Sequence, residues 1–165
     1  MPEPILARLF KHNDWANLRV IGACSALSAE QLDAPPQSAT KGTIRATLTH
    51  LVSSQQGYLA LLTLPVEARS SSSPAFADLE EAAARSGQAL IALASGETVS
   101  DLIAQLRTSD DYYVKPWVVL LQAINHAAEH REQICSMLTA LGVTPPDLDG
   151  WAYGEATGAL VPVPT

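Results

Sequence analysis

The segment Asn125-His126-Ala127-Ala128-Glu129-His130-Arg131 carries the densest concentration of chemically capable side chains in this sequence. Residues four apart on a helix share one face, with Cβ atoms about 5–6 Å apart. His126 and His130 at that spacing could both donate to one divalent cation, the remaining ligands coming from elsewhere in the fold. His50 is the candidate third ligand. Its same-face neighbours Thr43, Ala46, Thr47, Ser53, Ser54 and Gly57 are small or weakly polar, so the imidazole should sit in a recess that side chains of another helix can enter. The stripe through Val119, Gln122, Ala123, Gln133 and Met137 is uncharged apart from Glu129. Two such faces are what a metal site inside a bundle needs. A histidine at each of these places is equally compatible with a hydrogen-bonded core or interface residue, and spacing alone leaves both readings open.

Other polar groups near this segment fall into place around it. His126-Ala-Ala-Glu129-His130 has the outline of the inverted zinc-protease string H-x-x-E-H, but nothing here supplies the distinctive third ligand of those enzymes. Glu129 is therefore expected to be solvated or paired with an arginine, a general-base role remaining open. Asn125 and Gln133 are placed to orient an imidazole through its second nitrogen. Arg131 is expected to bridge to a carboxylate. His12 is left outside the ligand set. Tyr58, Trp117, Trp151 and Tyr153 read as core rather than as a substrate platform. Cys24 and Cys135 lie far apart within helical patterns, form no CxxC pair, and read as packing residues.

Four long helical patterns must position these groups. The first runs from about Ile5 to Leu27, with Leu6, Leu9/Phe10, Asn13, Ala16/Asn17, Val20/Ile21 and Cys24 on one stripe. Ser28 and Gln31 form a capping-box pair opening a short turn that Pro35-Pro36 ends. The second spans about Thr43 to Leu64, its stripe being Ile44, Leu48, Leu51/Val52, Gln55, Leu59 and Leu62. Arg45 is the only charge on it, so this helix should be deep in the bundle or covered by a second subunit, and a homodimer is expected. After the run Ser70–Ser73, Ser73-Pro74 predicts the start of a third helix over about 75–94, which Gly96 ends. Between Glu97 and Lys115 a short β-hairpin around Asp110-Asp111 is possible. The fourth helix starts near Pro116-Trp117 and ends at Gly142, and the tail carrying Trp151 and Tyr153 should pack back on the bundle. The reading is one all-α domain, 1–165, built as a four-helix bundle.

Composition removes several alternatives. At 165 residues with 47% hydrophobic and 16% charged side chains, the chain can bury a core and form an ordinary globular domain. A net charge of -7 with no basic cluster argues against nucleic acid or an anionic membrane surface as partner. The apolar stretch 44–64 is interrupted by Arg45, His50, Gln55 and Gln56, which excludes a membrane span. The first eleven residues lack the pattern of a signal peptide, so a cytoplasmic location is expected.

Three elements together resemble the DinB-like superfamily of metal-binding four-helix bundles. His12-Asn13-Asp14-Trp15-Ala16-Asn17 is similar to its opening HNxWAN signature. Thr47-Leu48-Thr49-His50-Leu51 resembles its TLxHL element, and Asn125-His126 through His130-Arg131-Glu132-Gln133 its NHxxxHRxQ element. Order and spacing agree from about residue 6 to 155. Glu132 departs from the glycine common beside the arginine, which bears on access to the site rather than on a ligand. The resemblance implies an up-down-down-up bundle, often dimeric. It also implies a divalent metal, zinc or nickel, on His50, His126 and His130 with open positions for water. Several relatives use a low-molecular-weight thiol such as bacillithiol or mycothiol. The activity it implies is that of a metal-dependent thiol S-transferase, with hydrolysis second, acting on a small-molecule substrate. A stress-associated bundle that binds metal or a partner without catalysis is the alternative.

Overall fold

The computed structural model describes residues 3–36, 42–70, 72–96 and 106–163. Its elements are α1 (Ile5–Ser25), α2 (Ala29–Leu32), α3 (Ile44–Thr63), α4 (Leu79–Ala94), a two-stranded antiparallel hairpin of β1 (Leu106–Arg107) and β2 (Tyr113–Val114), α5 (Pro116–Ala140) and α6 (Gly150–Ala156). The fold is an all-α bundle of the four long helices α1, α3, α4 and α5. None of the described helices is long and apolar enough to cross a membrane.

Local signals set most boundaries. Ser28 accepts from Gln31 N while Gln31 returns a bond to Ser28 N, the expected capping box. Thr43 caps α3 by accepting from Ala46 N. At the end of α5, Gly142 adopts a φ of 72° and Val143 N donates to Leu138 O, a Schellman closure that requires the left-handed conformation glycine takes without strain. The start of α4 differs from expectation. Ser73-Pro74 does not cap it. A 3₁₀ turn, Phe76–Asp78, comes first, because Phe76 packs on the core beneath the Arg45 guanidinium and holds that turn tight. The hairpin forms as expected, with Asp111 at φ 63° in its turn. Residues 97–105 of the weakly patterned stretch, and Ser71 of the serine run, lie outside the described residues.

The core has two apolar clusters. One gathers Val20 and Cys24 of α1, Ile44 and Leu48 of α3, Leu79 and Ala83 of α4, and Ile134 and Leu138 of α5. The other gathers Ala7 and Phe10, Leu62, Leu90 and Ala94, and Val119 and Ala123 from the same four helices. The C-terminal half of α1 thus meets the N-terminal halves of α3 and α4 and the C-terminal half of α5, which defines the up-down-down-up arrangement. On α1 the stripe runs through Ala7 rather than Leu9, which is 47% exposed, since stepping back three residues from Phe10 leads to Ala7.

Between the clusters lies a layer of buried polar groups: Asn13, Asp14 and Asn17 of α1, Gln55 of α3, Ser86 of α4, and His130 and Arg131 of α5. Arg131 donates to Asn13 Oδ1 (2.8 Å) and Asn17 Oδ1 (2.6 Å), and Asn17 donates to Gln55 Oε1 (2.8 Å). Gln55 in turn donates to Ser86 Oγ (2.7 Å) and Ala83 O (2.9 Å). The expected carboxylate partner of Arg131 is therefore replaced by two amide oxygens. Burial lowers the guanidinium pKa to about 10, outweighing the opposing pull of the nearby Glu132 charge.

Asp14 completes the layer on the α1–α4 seam. Gln88 donates to its Oδ2 (2.9 Å), and burial raises its pKa. Its Oδ1 lies over Gly87, where an alanine Cβ would overlap that oxygen and stand 2.7 Å from Asp14 Cγ. The two helices approach closely because Gly87 has no side chain. Gly87→Ala should lower the unfolding free energy by about 2 kcal/mol through overpacking, and adding Asp14→Ala should recover part of it. Chemical denaturation decides this. A Gly87→Ala protein as stable as the parent would contradict the close seam.

Candidate metal centre

His50 comes from the middle of α3, and His126 and His130 from successive turns of α5. The antiparallel contact of these two helices faces the three imidazoles at one another. His126 Nε2 is 3.1 Å from His50 Nε2 and 3.2 Å from His130 Nε2. The three rings meet edge to face at centroid separations of 4.4–5.0 Å. Two imidazole nitrogens each about 2.1 Å from one cation stand about 3.0–3.4 Å apart over octahedral to tetrahedral angles. The observed spacings fall within that range.

The tautomers fit as well. Gln133 Oε1 lies 2.8 Å from His130 Nδ1, and an amide oxygen only accepts. His130 Nδ1 therefore carries the proton, and its Nε2 presents a lone pair to the cluster. Three converging ring nitrogens repel unless positive charge lies among them. A single ring proton can bridge one pair, whereas a cation satisfies all three. The described residues contain one group of this kind that could hold a metal ion, and it is these three histidines.

The site is graded in exposure: His130 is buried, His126 half-buried and His50 exposed. The sequence pattern pointed to an interior position, but α3 and α5 are packed at the bundle surface here, and the small residues Ala46 and Thr47 leave the seam open. A cavity of about 260 Å³ lined by Ala46, Thr47, His50 and His130 results. A larger cleft of about 460 Å³ lies further along α3, lined by Ser54, Gly57, Tyr58 and Leu61 and by Arg69 and Thr108 from the loops. Tyr58, on the wall of the larger cleft, also touches the histidine cluster. Its ring meets His126 edge-on at 5.7 Å, and burial, the largest effect on its hydroxyl, raises its pKa, so it stays protonated at neutral pH.

The remaining candidates take other places. Glu129 is exposed and, among the described residues, makes no ion pair; its charge lies near enough to Tyr58 to disfavour the phenolate. Asn125 is exposed. His12 stands away from the triad, with Nε2 2.8 Å from Leu148 O and its ring against Trp15 and Tyr153, so it fastens the tail to α1. Trp117 and Trp151, expected in the core, are 64% and 74% exposed. Cys24 is buried with its thiol pushed up to about 12, chiefly by burial, and half-buried Cys135 is also raised. Tyr58 and Arg69 were not singled out as site residues by sequence. Tyr58 carried one signal, its helical spacing of eight residues from His50.

An all-α bundle with three histidines converging from two antiparallel helices defines a class of bundle equipped for a metal ion. The DinB family model matches residues 1–161, and the chain belongs to the DinB family. No curated protein matches it.

Proposed function

We propose that this chain is a metal-dependent enzyme that activates an exogenous low-molecular-weight thiol, or water, for attack on a small electrophile. The observation that carries the reading is the convergence of three imidazole Nε2 atoms beside an open cavity. Three neutral ligands leave a divalent cation its full charge, and the chemistry it supplies when bound is to lower the pKa of a thiol or water beside it.

This chain's own residues do the rest. Gln133 fixes the tautomer of His130, so the site keeps its donor orientation without reorganisation. Ala46 and Thr47 keep the approach to His50 clear. Tyr58, protonated beside His126, can donate a hydrogen bond to a developing anion in the cleft. Neither protein thiol suits the role of nucleophile. Both are pushed away from the thiolate form by burial, and both pack in the apolar cluster below the polar layer.

The test uses cobalt-substituted protein. Adding cysteine, glutathione or bacillithiol should shift the visible spectrum, and His50→Ala should erase the shift. A spectrum indifferent to all three thiols would overturn the transferase reading and favour a bundle that binds metal without thiol chemistry.

A further inference from the structure

The cleft of about 460 Å³ beyond Tyr58 contains a cation held by main-chain carbonyls. Arg69, half-buried in the loop after α3, donates from Nε to Leu64 O (3.1 Å) and from Nη1 to Arg107 O (2.7 Å). Both partners are neutral backbone carbonyls. The chain has 17 carboxylate side chains against 10 lysines and arginines, yet among the described residues Arg69 forms no ion pair. The two carbonyls hold the guanidinium in one orientation, while Nη2 is engaged by none of the described residues. Ser70, Thr108 and Ser109 line the same cleft, with Leu61 and Val66 as its apolar part; Ser70 Oγ donates to Ser72 Oγ, and Thr108 Oγ1 accepts from Tyr112 N. A fixed guanidinium in a concave site, with no acidic partner among the described residues, is suited to a carboxylate or similar anion, which it can meet with charge-assisted hydrogen bonds.

The position of the cleft adds a length requirement. His50, Ser54, Gly57, Tyr58 and Leu61 follow one another along one side of α3 at helical spacing. With a rise of about 1.5 Å per residue, Tyr58 lies about 12 Å along the axis from His50. A molecule reaching from the histidines past Tyr58 to Arg69 must therefore be extended, of roughly peptide-like size, with its anionic end remote from its reacting end. The cleft volume suits such a ligand.

We propose that Arg69 is the anchor for the carboxylate end of an extended, anionic small-molecule substrate whose other end lies at the three histidines. The cleft is the binding site for its body. This rests on the proposed function only for what happens at the histidine end. The anion site itself stands on Arg69 and the cleft.

S-methylglutathione, which has two carboxylates and no thiol proton to lose, separates the two. Calorimetry of the metal-loaded protein should show it binding about tenfold more tightly than its diethyl ester, as expected for a charge-assisted contact. Arg69→Gln should abolish that preference while leaving affinity for the ester and metal content unchanged. Arg69→Lys should retain part of it. A purely structural role for Arg69 in tying the loop would weaken acid and ester equally. That result, equal affinity for the two in the parent protein, or no binding of the acid, would overturn the proposal. Failure of the cobalt–thiol experiment with the acid preference intact would remove thiol activation and leave the anion site standing.

Discussion

Asn17→Ala should lower the unfolding free energy by about 4 kcal/mol, the largest loss expected from any single polar substitution in the core. Asn17 is fully buried and occupies the centre of the polar layer, accepting from Arg131 and donating to Gln55. Its removal leaves a buried guanidinium with Asn13 alone as acceptor, and Gln55 Oε1 with no donor. Each orphaned group costs about 1–3 kcal/mol, the charged one more, and Asn17 itself has no exposure to solvent. Asn17→Asp separates the two halves of the effect. An aspartate still accepts from Arg131, with opposite charge, but has no proton for Gln55, so it should be less damaging than alanine. Urea denaturation of the two variants measures the difference. An alanine variant within about 1 kcal/mol of the parent would mean the layer contributes orientation and not stability.

This network explains the opening motif of the chain in physical terms. Asn13 and Asn17 lie on the buried stripe of α1, where apolar residues would ordinarily stand, and hold Arg131, which neighbours His130. The residue next to a candidate ligand is thereby fixed to α1, and through Asn17 and Gln55 to α3 and α4. His50 follows from the same assembly. It lies on α3 five residues before Gln55, so the bonds that register α3 against α1 and α4 also set His50 opposite α5.

How far the sequence reveals this depends on the range of the interaction. The Ser28 cap and the stops at Gly96 and Gly142 were readable because these residues act on backbone within a few residues of themselves. The long stripes were readable because periodicity is local. Asn13, Asn17 and Gln55 lie on otherwise apolar stripes, but nothing local shows that they join one buried network, or that Arg131, 114 residues beyond Asn17, closes it. Ser86 carried no signal, since a serine on a helix is equally at home in water. The start of α4 was misplaced because Phe76 anchors a 3₁₀ turn through tertiary contacts that no cap motif records. Trp117 and Trp151 defeated the expectation that large aromatics are buried. Arg69 was invisible because its partners are main-chain carbonyls, which every residue has.

The three histidines were legible for a different reason. The i, i+4 pair His126 and His130 is a local geometric fact, and His50 stood out by the smallness of its neighbours. The structure adds the convergence of their Nε2 atoms and the Gln133 contact. His126 is the centre of the set, since both short nitrogen–nitrogen separations include it. Removing it should therefore do more to metal affinity than removing any residue that merely orients a ligand, which typically costs 10–100-fold. It should do little to the fold, because His126 is half-buried and outside the polar layer.

Metal analysis of the parent protein, His126→Ala and His12→Ala after equilibration with zinc and gel filtration tests the central claim most directly. The parent and His12→Ala should retain about one zinc per chain, as a three-histidine site predicts. His126→Ala should retain essentially none, with its helical circular dichroism preserved. Full zinc occupancy in His126→Ala, or loss of zinc from His12→Ala alone, would contradict the assignment of the centre to His50, His126 and His130.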